Sequence, residues 1–88
     1  MKFEFDPAKD EANRARHGIG LDAAERFDLS SAYVVIDDRH DELREVAIGF
    51  IGVVLHVMVW TWRDGDALRV ISLRKAEGKD ARTYEQKV

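Results

Sequence analysis

The side chains of this 88-residue chain best suited to chemistry are basic, and they fall in two groups. Arg69, Arg74 and Lys75 lie on or just after the apolar run that starts at Ala67, with Arg63 just ahead of it. Lys9, Arg14, Arg16 and His17 lie near the N-terminus. An arginine flanked by apolar strand residues is costly to bury unpaired. It either pairs with a carboxylate or faces a pocket that takes anions. Both readings stay open for Arg69 and Arg74. They are five residues apart, so a regular strand sends them to opposite faces. They share a pocket only if the strand ends or bulges near Leu73. His17, just before Gly18, is either a cap on a helix end or a general acid or phosphate contact. His56 sits among apolar residues and reads as a hydrogen-bonded core histidine. Trp60 and Trp62 share strand parity and are either core or a stacking surface for bases.

Other chemistries find no support. There is no cysteine, which excludes a disulfide scaffold, a cysteine zinc site and a cysteine nucleophile. His17, His40 and His56 show no ligand spacing, and no metal or cofactor is expected. The acidic stretch Asp37-Asp38-Arg39-His40-Asp41-Glu42 lacks the glycine and periodicity of a calcium loop and reads as a solvated turn. There is no glycine-rich phosphate loop and no nucleophile elbow. The net charge of −3 argues against a broad nucleic-acid surface. Its distribution does not, because residues 21–45 carry eight acids and three bases while residues 63–88 carry seven bases and five acids. A basic site on an acidic body is compatible with these numbers.

The elements that must position these residues follow from the pattern. Phe3-Glu4-Phe5 alternates as a short strand. Asp6-Pro7 caps and starts a helix that Gly18 ends, with Ala8, Ala12 and Ala15 as a small-residue stripe for close packing on a sheet. Leu21, Ala24 and Phe27 have the spacing of a second helix over about 22–28. Strands follow over 32–36, 44–50, 53–62 and 67–74, with turns at Gly52 and at Asp64-Gly65, and a weak helix closes the chain over 79–86. Val53–Trp62 is apolar on both faces and belongs in the middle of the sheet. The expected fold is α+β: an antiparallel sheet of four to five strands, with two N-terminal helices and a short C-terminal helix, in one domain over 1–88. The N-terminus is too charged for a secretory segment. The apolar stretch 47–62 is too short and too interrupted to span a membrane, so a cytoplasmic protein is expected.

Several motifs together resemble one family. Phe5-Asp6-Pro7-Ala8-Lys9 and Asn13-Arg14-Ala15-Arg16-His17-Gly18-Ile19 resemble the opening of the BrnT toxins. Ala24 and Phe27, Arg44 to Gly49, and Trp62-Arg63 fall where that family has similar residues. Arg69-Val70-Ile71-Ser72-Leu73-Arg74-Lys75-Ala76 resembles its C-terminal signature, and Asp80 and Tyr84 follow at the family's spacing. Leu73 and Asp80 stand where the family usually has alanine and glutamate. The resemblance covers roughly residues 3–85.

The resemblance implies a RelE-like fold and a type II toxin–antitoxin endoribonuclease that needs no metal. It would cleave RNA by attack of the ribose 2′-OH on the adjacent phosphorus. Arg69 and Arg74 would hold the phosphate charge, and His17 and Lys9 would serve the proton transfers. Arg63, Lys75, Tyr84 and Trp62 would contact substrate. The implied partner is a BrnA-like ribbon-helix-helix antitoxin, forming a heterotetramer that reaches operator DNA only through the antitoxin. The alternative is a non-catalytic homologue that binds antitoxin and tunes repression.

Overall fold

The apolar run that reads as a central strand takes that place. In the computed structural model, which describes residues 2–88, it is the middle of five strands. Met1, counted in the expected domain 1–88, lies outside the described residues. The strands are β1 (Lys2–Glu4), β2 (Tyr33–Asp37), β3 (Arg44–Ile51), β4 (Val54–Trp62) and β5 (Ala67–Lys75), in the order β1-β5-β4-β3-β2. The helices are α1 (Pro7–His17) and α2 (Gly78–Lys87). Strands β2 to β5 form the antiparallel meander that their short turns dictate. Gly52 and Gly65 make the turns with φ of 61° and 75°, values that side chains with a Cβ rarely adopt.

Two expectations are corrected. The sheet is mixed, because β1 pairs in parallel with β5 (Phe3 opposite Leu68, Glu4 opposite Arg69). Local turns fix the direction of the meander, but they do not say where a strand separated from it by a helix will dock. There is also one N-terminal α-helix, not two. The segment after α1 forms 3₁₀ turns over Leu21–Arg26 and Leu29–Ser31. Phe27 between them is extended and bridges to Ile51, and Asp28 N–H donates to Phe50 O (2.9 Å). These ties stop the helix after a length too short to propagate unaided.

One sheet face packs against the 3₁₀ segment. Leu21, Ala24, Phe27, Ala47, Met58, Trp60, Leu68, Val70 and Leu73 form the buried core there. His56 is buried with Nδ1 2.9 Å from Val54 O, and Trp60 is core, so both take their structural readings. Gly49 is required on this face. A Cβ there would stand 2.9 Å from both Ala32 Cβ and the Phe27 ring. Helix α2 covers one end of the opposite face. Tyr84 sets its ring edge-on to Phe50 (5.6 Å) and donates its hydroxyl to Ser31 O (2.9 Å). Glu77 and Asp80 form a capping box that starts α2. None of the helices among the described residues is long and apolar enough to cross a membrane.

Candidate functional site

A single irregularity decides which face the C-terminal arginines take. Val59 pairs with Ser72 but Trp60 pairs with Val70, so Ile71 has no partner of its own and β5 bulges there. A bulge shifts side-chain parity by one. The burial pattern shows the shift, because Leu68, Val70 and Leu73 are all fully buried. Arg69, Ser72 and Arg74 therefore share the opposite face.

Each arginine has a carboxylate partner. Arg74 Nη1 donates to Asp80 Oδ2 (2.9 Å) and also to Lys75 O (3.2 Å). Burial on its own would raise the Asp80 pKa. Hydrogen bonds from Arg74 and the Glu77 N–H, with the charges of Arg74 and Lys79, outweigh that and hold it below the usual carboxylate range. Arg69 Nε lies 3.4 Å from Glu4 Oε1, and Arg63 Nε lies 3.9 Å from the same oxygen. Five strand residues span roughly 16 Å, so the two arginines mark opposite ends of one strip of β5.

Between those ends, α1 lies against the part of β5 that β1 does not reach. The contact is polar. Ala8, Ala12 and Ala15 are exposed, so the small-residue stripe does not pack on the sheet. The one buried residue of α1 is Asn13. Its Oδ1 accepts from Leu73 N–H (3.1 Å), and its Nδ2 donates to Leu73 O and Ile19 O (both 2.8 Å). One amide side chain thus takes the place of a neighbouring strand at Leu73. Asp10 makes a second tie by accepting from Leu21 N–H (2.7 Å). That backbone hydrogen bond is the chief reason its pKa is lowered. Burial opposes it, and the hydrogen bond and charge of Arg14 reinforce it. Arg14 is occupied by Asp10 and Asp22.

This docking opens a groove beside the bulge. Lys9, Ala12, Asn13, Arg16 and His17 of α1 line one side, and Ile71 and Ser72 of β5 the other. The groove holds about 150 Å³, and no carboxylate lines it. Residues 9, 13, 16 and 17 fall on one helix face because they recur at the helical period. Three bases without an acid among them favour an anion, and Ser72 adds a hydroxyl.

Of the residues expected from sequence, Lys9 and His17 thus share the groove, while Arg69 with Arg63 and Arg74 flank its two ends. The remaining three lie elsewhere. Tyr84 docks α2. Lys75 is exposed at the end of β5, opposite His56. Trp62 stands on the core-side face near Ile36 and Leu43, with Nε1 donating to Glu45 Oε1 (3.2 Å). Sequence reasoning missed the roles of Asn13, Arg16 and Ser72. An asparagine inside a helix is a poor helix former, so its presence at 13 was a signal for a side-chain tie. Ser72 gave none, because it is brought to the bases only by the bulge. Among the described residues, no three histidine or carboxylate groups are placed to hold a metal ion.

Comparison with known proteins adds the following. The family described as the ribonuclease toxin BrnT of type II toxin–antitoxin systems matches residues 5–80. The 1.1 Å crystal structure of the Brucella abortus ribonuclease toxin BrnT superposes with a TM-score of 0.69 at 30% identity, over 88% of this chain and 97% of that one. No functionally curated protein matches.

Proposed function

We infer a mechanism from one premise: this chain belongs to the BrnT family, the ribonuclease toxins of type II toxin–antitoxin systems. In our reading the groove between α1 and β5 is where RNA is cut. The observation that carries this is that Lys9, Arg16 and His17 line one groove with Ser72 and no carboxylate lines it.

The reaction is a transesterification that uses no metal. The ribose 2′-oxygen forms a bond to phosphorus, the bond from phosphorus to the 5′-oxygen breaks, and a 2′,3′-cyclic phosphate remains. A base takes the 2′-OH proton, and an acid gives one to the leaving oxygen. His17 and Lys9, which line the groove together, serve these two transfers. Arg16 holds the charged phosphate between them, and Ser72 orients it. Arg69 and Arg74 steer the strand from the two ends of the strip. Each must give up part of its ion pair to touch phosphate, which a polyanion can induce at half-exposed sites. Arg63 supports Arg69 through their shared partner Glu4. Lys75, Tyr84 and Trp62 lie outside the groove, and a substrate contact for them would require RNA running beyond it.

The protein acts in the cytoplasm as one domain, neutralised by a ribbon-helix-helix antitoxin in a heterotetramer that reaches operator DNA through the antitoxin. One observation favours the second reading, an antitoxin-binding homologue without catalysis: both signature arginines are held by carboxylates. The test is cleavage of total cellular RNA by purified protein with EDTA present, wild type against His17→Ala and Arg16→Ala. Activity in the wild type with loss of 10²-fold or more in both variants is the expected outcome, on the order of other removed acid–base or charge-stabilising groups. Folded wild-type protein that neither cleaves RNA nor arrests growth on induction supports the second reading.

A further inference from the structure

The opposite edge of the sheet is unfinished. Strand β2 is terminal, so one row of its N–H and C=O groups faces no other strand. Edge strands are ordinarily blunted by charge, proline, a bulge or a covering element. Residues 33–36 of β2 carry no charge and no proline, and its pairing with β3 is regular. Val34, Val35 and Ile36 are 40%, 41% and 66% exposed. Beside them, Ile36, Leu43, Thr61 and Trp62 line a hollow of about 370 Å³. Val34 and Ile36, which share one face, the open main chain and the adjoining hollow form a continuous docking surface, while Val35 points to the other face.

The surrounding charge identifies the occupant. Glu42, 3.7 Å from Arg44, and Glu45, which accepts from Trp62, rim the hollow, and Asp38 and Asp41 stand in the loop after β2. Arg39 is bound to Asp37 (2.8 Å). RNA is repelled here by the acids. A second copy pairing edge to edge through β2 would set the same acids against one another. We propose that an extended segment of the antitoxin adds to β2 as a sixth strand, its apolar side chains entering the Ile36–Trp62 hollow and its basic residues meeting the acids of 38–45. This rests on the toxin reading for the identity of the partner, but not on the site of cleavage. It leaves the α1–β5 groove at the far edge of the sheet, so capture and catalysis occupy different surfaces.

The experiment uses the full chain and its cognate antitoxin. Titration calorimetry reads affinity, and amide hydrogen exchange of wild type reads protection. We expect slowed exchange at 33–37 in the complex. Val34→Glu/Ile36→Glu should weaken antitoxin binding at least tenfold, and Asp38→Lys/Asp41→Lys about threefold or more with a reduced salt dependence. Val53→Glu, an exposed apolar site on the β3–β4 turn, should change it less than twofold. RNA cleavage without antitoxin should stay at the wild-type level in all three. Unchanged exchange at 33–37, or wild-type affinity in Val34→Glu/Ile36→Glu, overturns the proposal. So does protection of 33–37 by self-association of the chain alone. Antitoxin binding at this edge by a protein that cleaves no RNA would instead sink the ribonuclease reading and leave the docking site standing.

Discussion

The two edges of the sheet are finished in opposite ways. At one, β1 is three residues long, with Lys2 and Glu4 flanking Phe3, and Asn13 closes the exposed backbone of β5 at Leu73. Bases gather along that edge. At the other, β2 offers open main chain and three exposed apolar side chains among acids. In our proposal the edge closed by the chain's own side chain holds the reacting phosphate. An edge left open is a place for another protein. The overall charge of −3 hides this division.

The largest test of the closed edge is Asn13→Ala. It removes three hydrogen bonds and leaves the buried Leu73 N–H without a partner. At about 1 kcal/mol each, the loss is about 3 kcal/mol, and the melting temperature of a domain this size should fall by more than about 10 °C. Calorimetry checks it. A loss under about 0.5 kcal/mol would mean that α1 is held some other way.

Gly49→Ala tests the support beneath the open edge. The added methyl meets Ala32 and Phe27, the segment that leads into β2. Overpacking of this kind costs about 1–3 kcal/mol in denaturant titrations. The variant should also raise amide exchange at 33–37 in the free protein.

Acid should loosen the closed edge. Asp10 and Asp80 have pKa values lowered in the folded state. A lowered folded value means that these carboxylates stabilise the fold at neutral pH, above the unfolded value of about 3.9, and that this stability is lost as pH falls through the folded values. Melting temperature should therefore drop below about pH 4, and Asp10→Asn should flatten part of that drop. A curve identical to wild type would remove Asp10 from the account.

The smallest expected effect lies at the open edge. Val34→Glu/Ile36→Glu in the free protein should change stability by less than about 0.5 kcal/mol, since exposed positions tolerate substitution. A large loss would mean that these side chains serve the fold and not a partner.

The helix caps, the strand boundaries and the central position of β4 were legible in sequence because each is local. Asp6, Pro7 and Gly18 bound α1 as their chemistry requires. Three features were not legible. The parallel docking of β1 depends on where a helix delivers it. The short 3₁₀ segment depends on the Phe27 bridge to Ile51. The shared face of Arg69 and Arg74 depends on a bulge at Ile71, which strand parity flagged as necessary but could not supply. The basic residues themselves were visible. Their sorting into groove bases and ion-paired arginines needed the positions of Glu4 and Asp80 in space.

The most direct test of the central claim is cleavage of a defined RNA in EDTA, with the product ends identified, by wild type, His17→Ala and Lys9→Ala, each shown to be folded. The account expects 2′,3′-cyclic phosphate ends from wild type and a loss on the order of 10²-fold in each variant. Wild-type rates in both variants would contradict the claim that the α1–β5 groove is where this toxin cuts RNA.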